Sequence, residues 1–400
     1  MRSLLAFFAA SLLADPAADR TVVRSLAETC AKAPVTHPAE GFAPEGGIRA
    51  VFYDALPWKG KPTRVFAWFG LPIGHAGKVP GIVLVHGGGG TAYKEWVRKW
   101  NEQGFAAISI ATEGQTDVDE KKEPKGRPVW ARHAFSGPAR DGTFADTNLP
   151  LPDQWMYHAL ADTMLARALL ASHPEVDSAK IGVMGISWGG VITSTVIGLD
   201  DRFAFGIPTY GCGHLFDAEN HWGKALHDNE GYKQIWDGMN YADRVRMPVL
   251  WLSWPQDAHF PLGCQAEQYR KTPGPRMVSL VSKMGHSHPA GWNPPDSYAF
   301  AKSIVDTGRP WGRCVETKAQ DGQATAFFQT DRPVTKAELV WTADRGFTGT
   351  RKWNEKPANL IVTGGTEARA SMPLPPGTTA WYINVYSDKL TLTSDYQETK

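Results

Sequence analysis

The stretch Lys180-Ile-Gly-Val-Met-Gly-Ile-Ser-Trp-Gly-Gly-Val191 decides how this chain reads. Residues 181–184 are wholly apolar, the pattern of a strand buried on both faces. Residues 191–199 carry the pattern of a helix. Between them lies Gly185-Ile186-Ser187-Trp188-Gly189-Gly190, a GxSxG turn joining strand to helix. A serine there occupies a tight turn, and its flanking glycines leave room where a side chain would strike the neighbouring strand and helix. The turn lifts the hydroxyl above the sheet. It aims the N–H of Trp188 and the helix N-terminus at one point, where a developing negative charge is stabilised. Ser187 is therefore the candidate nucleophile.

Upstream, the apolar run 81–85 leads into His86-Gly87-Gly88-Gly89-Gly90. Glycines after a strand let backbone amides approach a substrate oxygen, so Gly88, with Gly89 next, is the expected partner of Trp188 in an oxyanion hole. A phosphate cradle is excluded because neither a Lys-Ser/Thr pair nor GxGxxG spacing is present. His86 is expected to hold the loop. Downstream, the strand-like run 248–254 ends in Pro255-Gln256-Asp257, which places Asp257 on the same sheet edge as Ser187; Asp243 and Asp217 lie in less regular stretches. Residues 277–284 form the last strand-like run, followed by Gly285-His286-Ser287-His288. His286 is the expected general base, and His288 is expected to flank the site or bind backbone. The order serine, aspartate, histidine separates this arrangement from the two other common serine-triad orders.

Residues 51–56 and 64–71 read as opening antiparallel strands. Helices are expected at 93–103, 153–172 and 295–306, and strands at 105–110 and 203–210. Residues 113–150 lack periodicity and read as a long functional or flexible loop. After residue 311 short strand-like runs without helices predict a small β-sandwich over 311–400, with a catalytic unit over 19–310. Residues 1–18 start basic, then apolar, a secretory leader pattern that implies a secreted or periplasmic protein; a first amphipathic helix is the other reading. Four cysteines fit either two disulfides or buried thiols. A formal net charge of +1 excludes a nucleic-acid or anionic-membrane binder. No stretch after the first residues is long and apolar enough to span a bilayer.

With these motifs in hand, the chain resembles the α/β-hydrolase superfamily, and more closely the bacterial acetyl xylan esterase-like and prolyl-oligopeptidase-like hydrolases. The resemblance rests on the His86 glycine loop with Glu95-Trp96-Val97 behind it, on Pro174-Glu175-Val176-Asp177, on the Ser187 turn and on Tyr210-Gly211-Cys212-Gly213. It covers roughly residues 49–308. It implies the α/β-hydrolase fold, with a mostly parallel sheet flanked by helices and a C-terminal β-sandwich appended. It also implies a secreted serine esterase acting on acylated polysaccharides through an acyl-enzyme, with no metal or cofactor. Sixteen tryptophans leave room for a ring-stacking site, so His133, Trp155, Trp222 and His288 are candidates to line a small-molecule or carbohydrate ester. A serine peptidase of prolyl-oligopeptidase-like type is the alternative, although a propeller has no room before residue 49. A glycan-binding protein on a hydrolase scaffold is a third reading. Dienelactone hydrolases place a cysteine where this chain has Ser187. The sequence fixes no oligomeric state.

Overall fold

The computed structural model describes residues 15–121 and 128–399. Most of the expected leader, residues 1–14, lies outside them. Asp15 caps α1 (Pro16–Thr29), its carboxylate accepting from the N–H of Ala17 at 3.0 Å, and the helix buries Val23 and Leu26. Residues 16–18 are thus the first turn of a packed helix.

The chain then lays down β1 (Thr36–Pro38), β2 (Ile48–Trp58) and β3 (Lys61–Gly70) as an antiparallel opening. Crossovers begin at β4 (Val79–Val85), α2 (Lys94–Glu102) and β5 (Ala106–Ile110). A two-stranded hairpin, β6 (Gln115–Asp119) with β7 (Trp130–Arg132), interrupts before α3 (Trp155–Ser172). There follow β8 (Val176–Ile186), α4 (Trp188–Leu199), β9 (Phe205–Thr209), α5 (His221–Leu226), β10 (Val249–Ser253), α6 (Leu262–Lys271), β11 (Arg276–Leu280), α7 (His288–Trp292) and α8 (Pro295–Thr307). Among the described residues the main sheet runs β1-β2-β3-β5-β4-β8-β9-β10-β11, parallel from β5 onward. Ile82 to Val85 and the whole of β5 are buried, which explains their unbroken apolar runs: helices cover both faces of the parallel part.

Three expectations are corrected. Helix α4 starts at Trp188 rather than 191, so the serine is the residue before the helix. Strand β11 stops at Leu280, leaving 281–287 as the loop that carries His286. Among the described residues of 113–150, β6 and β7 pair as strands, and the segment after β7 packs on Trp188 through Arg140 and Phe144.

The C-terminal strands are β12 (Gly312–Gln320), β13 (Gln323–Thr330), β14 (Lys336–Thr342), β15 (Asn354–Pro357), β16 (Asn359–Thr363), β17 (Glu367–Pro373), β18 (Ala380–Ser387), β19 (Leu390–Thr393) and β20 (Gln397–Glu398). They form two antiparallel sheets, β12-β13-β17-β16 and β15-β14-β18-β19, with β20 against β18. Leu339 and Val340, like Tyr382 and Ile383, are consecutive and fully buried, so β14 and β18 are covered on both faces. One cover is the main sheet's last strand. Leu280 donates its N–H to Thr393 Oγ1 (2.8 Å) and accepts at its carbonyl from Asn384 Nδ2 (3.1 Å). Ser279 Oγ donates to the Thr391 carbonyl at 2.6 Å. These side chains satisfy an edge that would otherwise be open to pairing with another chain.

A second contact reaches the loop after β10. Thr348 Oγ1 accepts from the N–H of Leu262 at 3.1 Å. A Cβ on Gly349 would fall on the carbonyl oxygen of Asp257. The φ of Gly349 is ordinary, so space rather than backbone freedom requires glycine here. Gly349→Ala must push the Asp257 loop aside and is expected to cost about 1–3 kcal/mol, the range for overpacking. Urea unfolding measures that cost, and unchanged stability would show that the loops part without strain.

Candidate active site

Ser187 sits at the junction of β8 and α4 with φ 58° and ψ −116°, a backbone region that non-glycine residues rarely occupy. Two close approaches enforce it. A Cβ on Gly185 would fall on the carbonyl of Gly189, and one on Gly189 would fall on the carbonyl of Val85. The serine hydroxyl is therefore held outward, half-exposed, above the strand ends.

His286 Nε2 lies 3.0 Å from Ser187 Oγ, and His286 Nδ1 lies 2.7 Å from Asp257 Oδ2. An acidic partner at Nδ1 fixes the proton there, which leaves Nε2 to accept from the serine. Asp257 is 1% exposed. Its Oδ1 accepts from the N–H groups of His259 and Phe260, both at 2.8 Å, and its Oδ2 also accepts from Trp254 Nε1 at 3.0 Å. Four donors converge on one carboxylate, so its orientation is fixed without help from solvent. The rivals Asp217 and Asp243 are exposed side chains away from this line. The His286 ring is held between Tyr210, centroids 4.3 Å apart, and Phe260, which lies parallel at 6.1 Å. Tyr210 Oη donates to the carbonyl of Ser287 at 2.5 Å, tying the histidine loop to the end of β9.

His288 has a different role. Its Nε2 accepts from the N–H of Gly87 at 2.9 Å, and its Nδ1 faces Tyr93 Oη at 3.3 Å. It props the glycine loop from below. His86 does the same from the other side. Its Nε2 lies 3.1 Å from the Thr112 N–H, and its Nδ1 donates to the Gly87 carbonyl at 2.7 Å. Burial pushes the His288 imidazole down to about 3 and that of His86 to about 4. Both rings stay neutral, as acceptors of backbone N–H must. Gly88 is exposed at the top of this loop, and a Cβ on it would stand 2.7 Å from Trp188 Cδ1. The two expected oxyanion residues are therefore neighbours.

Trp155 and Trp222 are closed off from a ligand, and His133 is half-buried away from the triad. Trp155 is buried and donates Nε1 to the Thr112 carbonyl at 2.8 Å. Trp222 is buried between Trp188 (4.7 Å) and Phe260 (5.4 Å). His133 packs on Phe52 of β2, its imidazole pushed down to about 4 by burial and by Arg132 and Arg64. These three are packing residues, because the aromatic content is spent on walls around Trp188. Sequence reading missed Trp130, whose Nε1 donates to the Gly89 carbonyl at 2.9 Å, and Arg140, stacked on Trp188 with its Cζ 4.5 Å from the ring centroid. Both lie in or after the hairpin, where no periodicity marked them. The four cysteines are free, Cys30, Cys212 and Cys264 buried, which settles that choice against disulfides. Among the described residues no group of three or more His, Cys, Asp or Glu side chains is arranged to hold a metal ion. No helix among them is long and apolar enough to cross a membrane.

Residues 50–217 match the acetyl xylan esterase (AXE1) family. An acetyl xylan esterase from Paenibacillus sp. R4 superposes with a TM-score of 0.51 at 23% identity, covering 67% of this chain and 89% of that one. Acetyl xylan esterase 1 from Thermoanaerobacterium sp. JW/SL YS485 gives 0.53 at 17% identity, covering 68% and 88%. The chain has the α/β-hydrolase fold. The matched region includes the Ser187 turn and the His86 glycine loop, whereas Asp257 and His286 lie beyond it.

The neutral props carry a pH signature. A base whose pKa is lowered on folding takes up protons more readily in the unfolded chain. Its contribution to stability is full above the unfolded value of about 6.5 and is lost as pH falls toward the folded one. Glutamine at position 288 can still accept from Gly87 without titrating. The stability advantage of wild type over His288→Gln is therefore expected to shrink as pH drops from 7 to 4 in paired urea titrations. A gap independent of pH would mean that His288 is not a buried neutral acceptor.

Proposed function

We propose that this protein is a serine carboxylic-ester hydrolase acting on short acyl groups, of acetyl type, carried by a carbohydrate or small alcohol. The observation that carries the reading is the Ser187–His286–Asp257 hydrogen-bond line at 3.0 and 2.7 Å, set beside a glycine loop. In this reading His286 takes the Ser187 proton as the serine attacks the ester carbonyl. The amides of Gly88 and Trp188 receive the oxyanion. The protonated His286, held by Asp257, returns the proton to the leaving alcohol. Water, deprotonated by His286, then hydrolyses the acyl-enzyme. No metal or cofactor enters these steps.

The short-acyl part of this reading is supported by what packs beside Ser187. Trp188, Trp222, Phe260 and Phe144 pack ring against ring next to the nucleophile, leaving a wall where a long acyl chain would need a channel. The esterase side is supported by the family match and by both superposing esterases. Export on an N-terminal leader belongs to the same proposal, with its end placed before α1, whose first turn takes in residues 16–18.

Initial rates on p-nitrophenyl acetate, butyrate and octanoate test it, with release of acetate from acetylated xylan as the carbohydrate arm. Acetate is expected to be the preferred acyl group. Ser187→Ala and His286→Ala are each expected to lose about three orders of magnitude or more in kcat. Faster turnover of aminoacyl anilides than of matching esters would establish the peptidase alternative instead. Equal rates for octanoate and acetate would remove the short-acyl reading.

A further inference from the structure

Arg140 stands at the mouth of the site without a part in the chemistry above. Its guanidinium lies over the Trp188 ring, and Nη2 is 3.3 Å from the point a Cβ on Gly88 would occupy. Nη1 donates to the Gly142 carbonyl at 2.8 Å. Nε faces Glu113 Oε1 at 3.4 Å, a one-point pairing rather than a bidentate fork. Both side chains are about four-fifths buried, at 21% and 20% exposure. Glu113 is itself anchored: its N–H is held by Gln115 Oε1 at 2.8 Å, and Arg132 donates to its carbonyl.

Two features of this arrangement exceed what pinning a loop requires. First, two arginines stand near one carboxylate: Arg140 pairs with Glu113, while Arg132 donates to the Glu113 backbone carbonyl, so the cluster carries a surplus positive charge beside the oxyanion loop. Burial raises the Glu113 carboxyl pKa while both arginines pull it down. The two histidines under the same loop, His86 and His288, are neutral and add nothing to the surplus. Second, the long single contact to Glu113 leaves the Nη2 edge turned to Gly88, where a bound ester carbonyl would sit. Stacking on Trp188 fixes the plane of that edge, so little rotamer freedom is lost when it meets a ligand.

We propose that Arg140 is a specificity residue for esters that carry a carboxylate, the guanidinium holding that anion while the ester carbonyl lies against Gly88 and Trp188. The proposal rests on the ester-hydrolase reading above and narrows its substrate class.

The test measures kcat/KM on phenyl acetate, on 3-acetoxybenzoate (carboxylate on the alcohol) and on monophenyl succinate (carboxylate on the acyl group). Each value is divided by that ester's hydroxide-catalysed rate. Wild type is expected to favour one of the anionic esters over phenyl acetate by about ten-fold or more, with a preference that weakens as salt is added. The favoured arm tells which side of the ester Arg140 reads. Arg140→Met keeps the stack on Trp188 without the charge and is expected to abolish the preference, while Arg140→Lys retains part of it. An equal loss on all three esters in Arg140→Met would make the residue a loop pin and overturn the proposal. Should Arg140→Met not fold, a wild-type preference indifferent to salt and unchanged in Arg140→Lys overturns it. Turnover of phenyl acetate with no anionic preference sinks this proposal alone. No turnover of any of the three esters removes the ester-hydrolase reading and this one with it.

Discussion

The crossing of α4 over β4 and β8 is the constraint on which the site depends. At Gly185 and Gly189 the backbones approach so closely that no side chain fits, and Ser187 is forced to φ 58°. That strain, of order 1–3 kcal/mol, persists only because the surroundings over-determine it. Here the surroundings are the buried parallel strands Ile82–Val85 and Ile181–Ile186 on one side and the fully buried helix face from Val191 to Leu199 on the other. The sheet core is thus the source of the serine's geometry. The same crossing brings Trp188 to the first turn of α4, so the position of its amide is not an independent accident.

The acid and the base depend on a different part of the chain. Asp257 and His286 follow β10 and β11, and among the described residues β11 is the edge strand of the sheet. The C-terminal sheets supply support here. Side chains of Asn384 and Thr393 close the edge of β11, Tyr396 donates its N–H to Tyr269 Oη of α6 at 2.9 Å, and Gly349 lies against the Asp257 carbonyl. A β unit that were merely tethered for binding would not need buried hydrogen bonds into the strand that carries the base. Its contacts read as a brace for two loops that must hold a hydrogen-bond line to within tenths of an ångström.

The parts that could be read from the sequence were those governed by local rules. Ser187, Asp257 and His286 each follow an apolar strand, and a strand end is a local pattern. The six parallel strands were visible because burial on both faces keeps their central runs predominantly apolar. Strands β12 and β17 were not, since one face of each is solvated and residues such as Glu316, Lys318 and Arg369 break any apolar signal. Arg140, Trp130 and Gly349 were invisible for another reason. Their roles come from contacts across tens or hundreds of residues, and nothing in their immediate neighbours encodes them. Trp155 and Trp222 mark the opposite error: ring content suggested a sugar platform, but the rings are spent on one another around Trp188.

Three of the histidines around the site, His86, His286 and His288, show how the fold divides labour by what faces each ring nitrogen. His86 and His288 accept backbone N–H groups from Thr112 and Gly87, and burial holds them neutral at about 4 and about 3. A proton on either accepting nitrogen would set two donors face to face and release the glycine loop. His286 faces a carboxylate with one nitrogen and a hydroxyl with the other, so protonation at Nε2 creates a cation already paired with Asp257 rather than a broken contact. The same residue type is thereby a rigid prop in two places and, in the proposed mechanism, a proton carrier in the third. Only the carrier has an acidic partner aimed at its ring, and that distinction, invisible in the string Gly285-His-Ser-His288, is what selects His286 over His288.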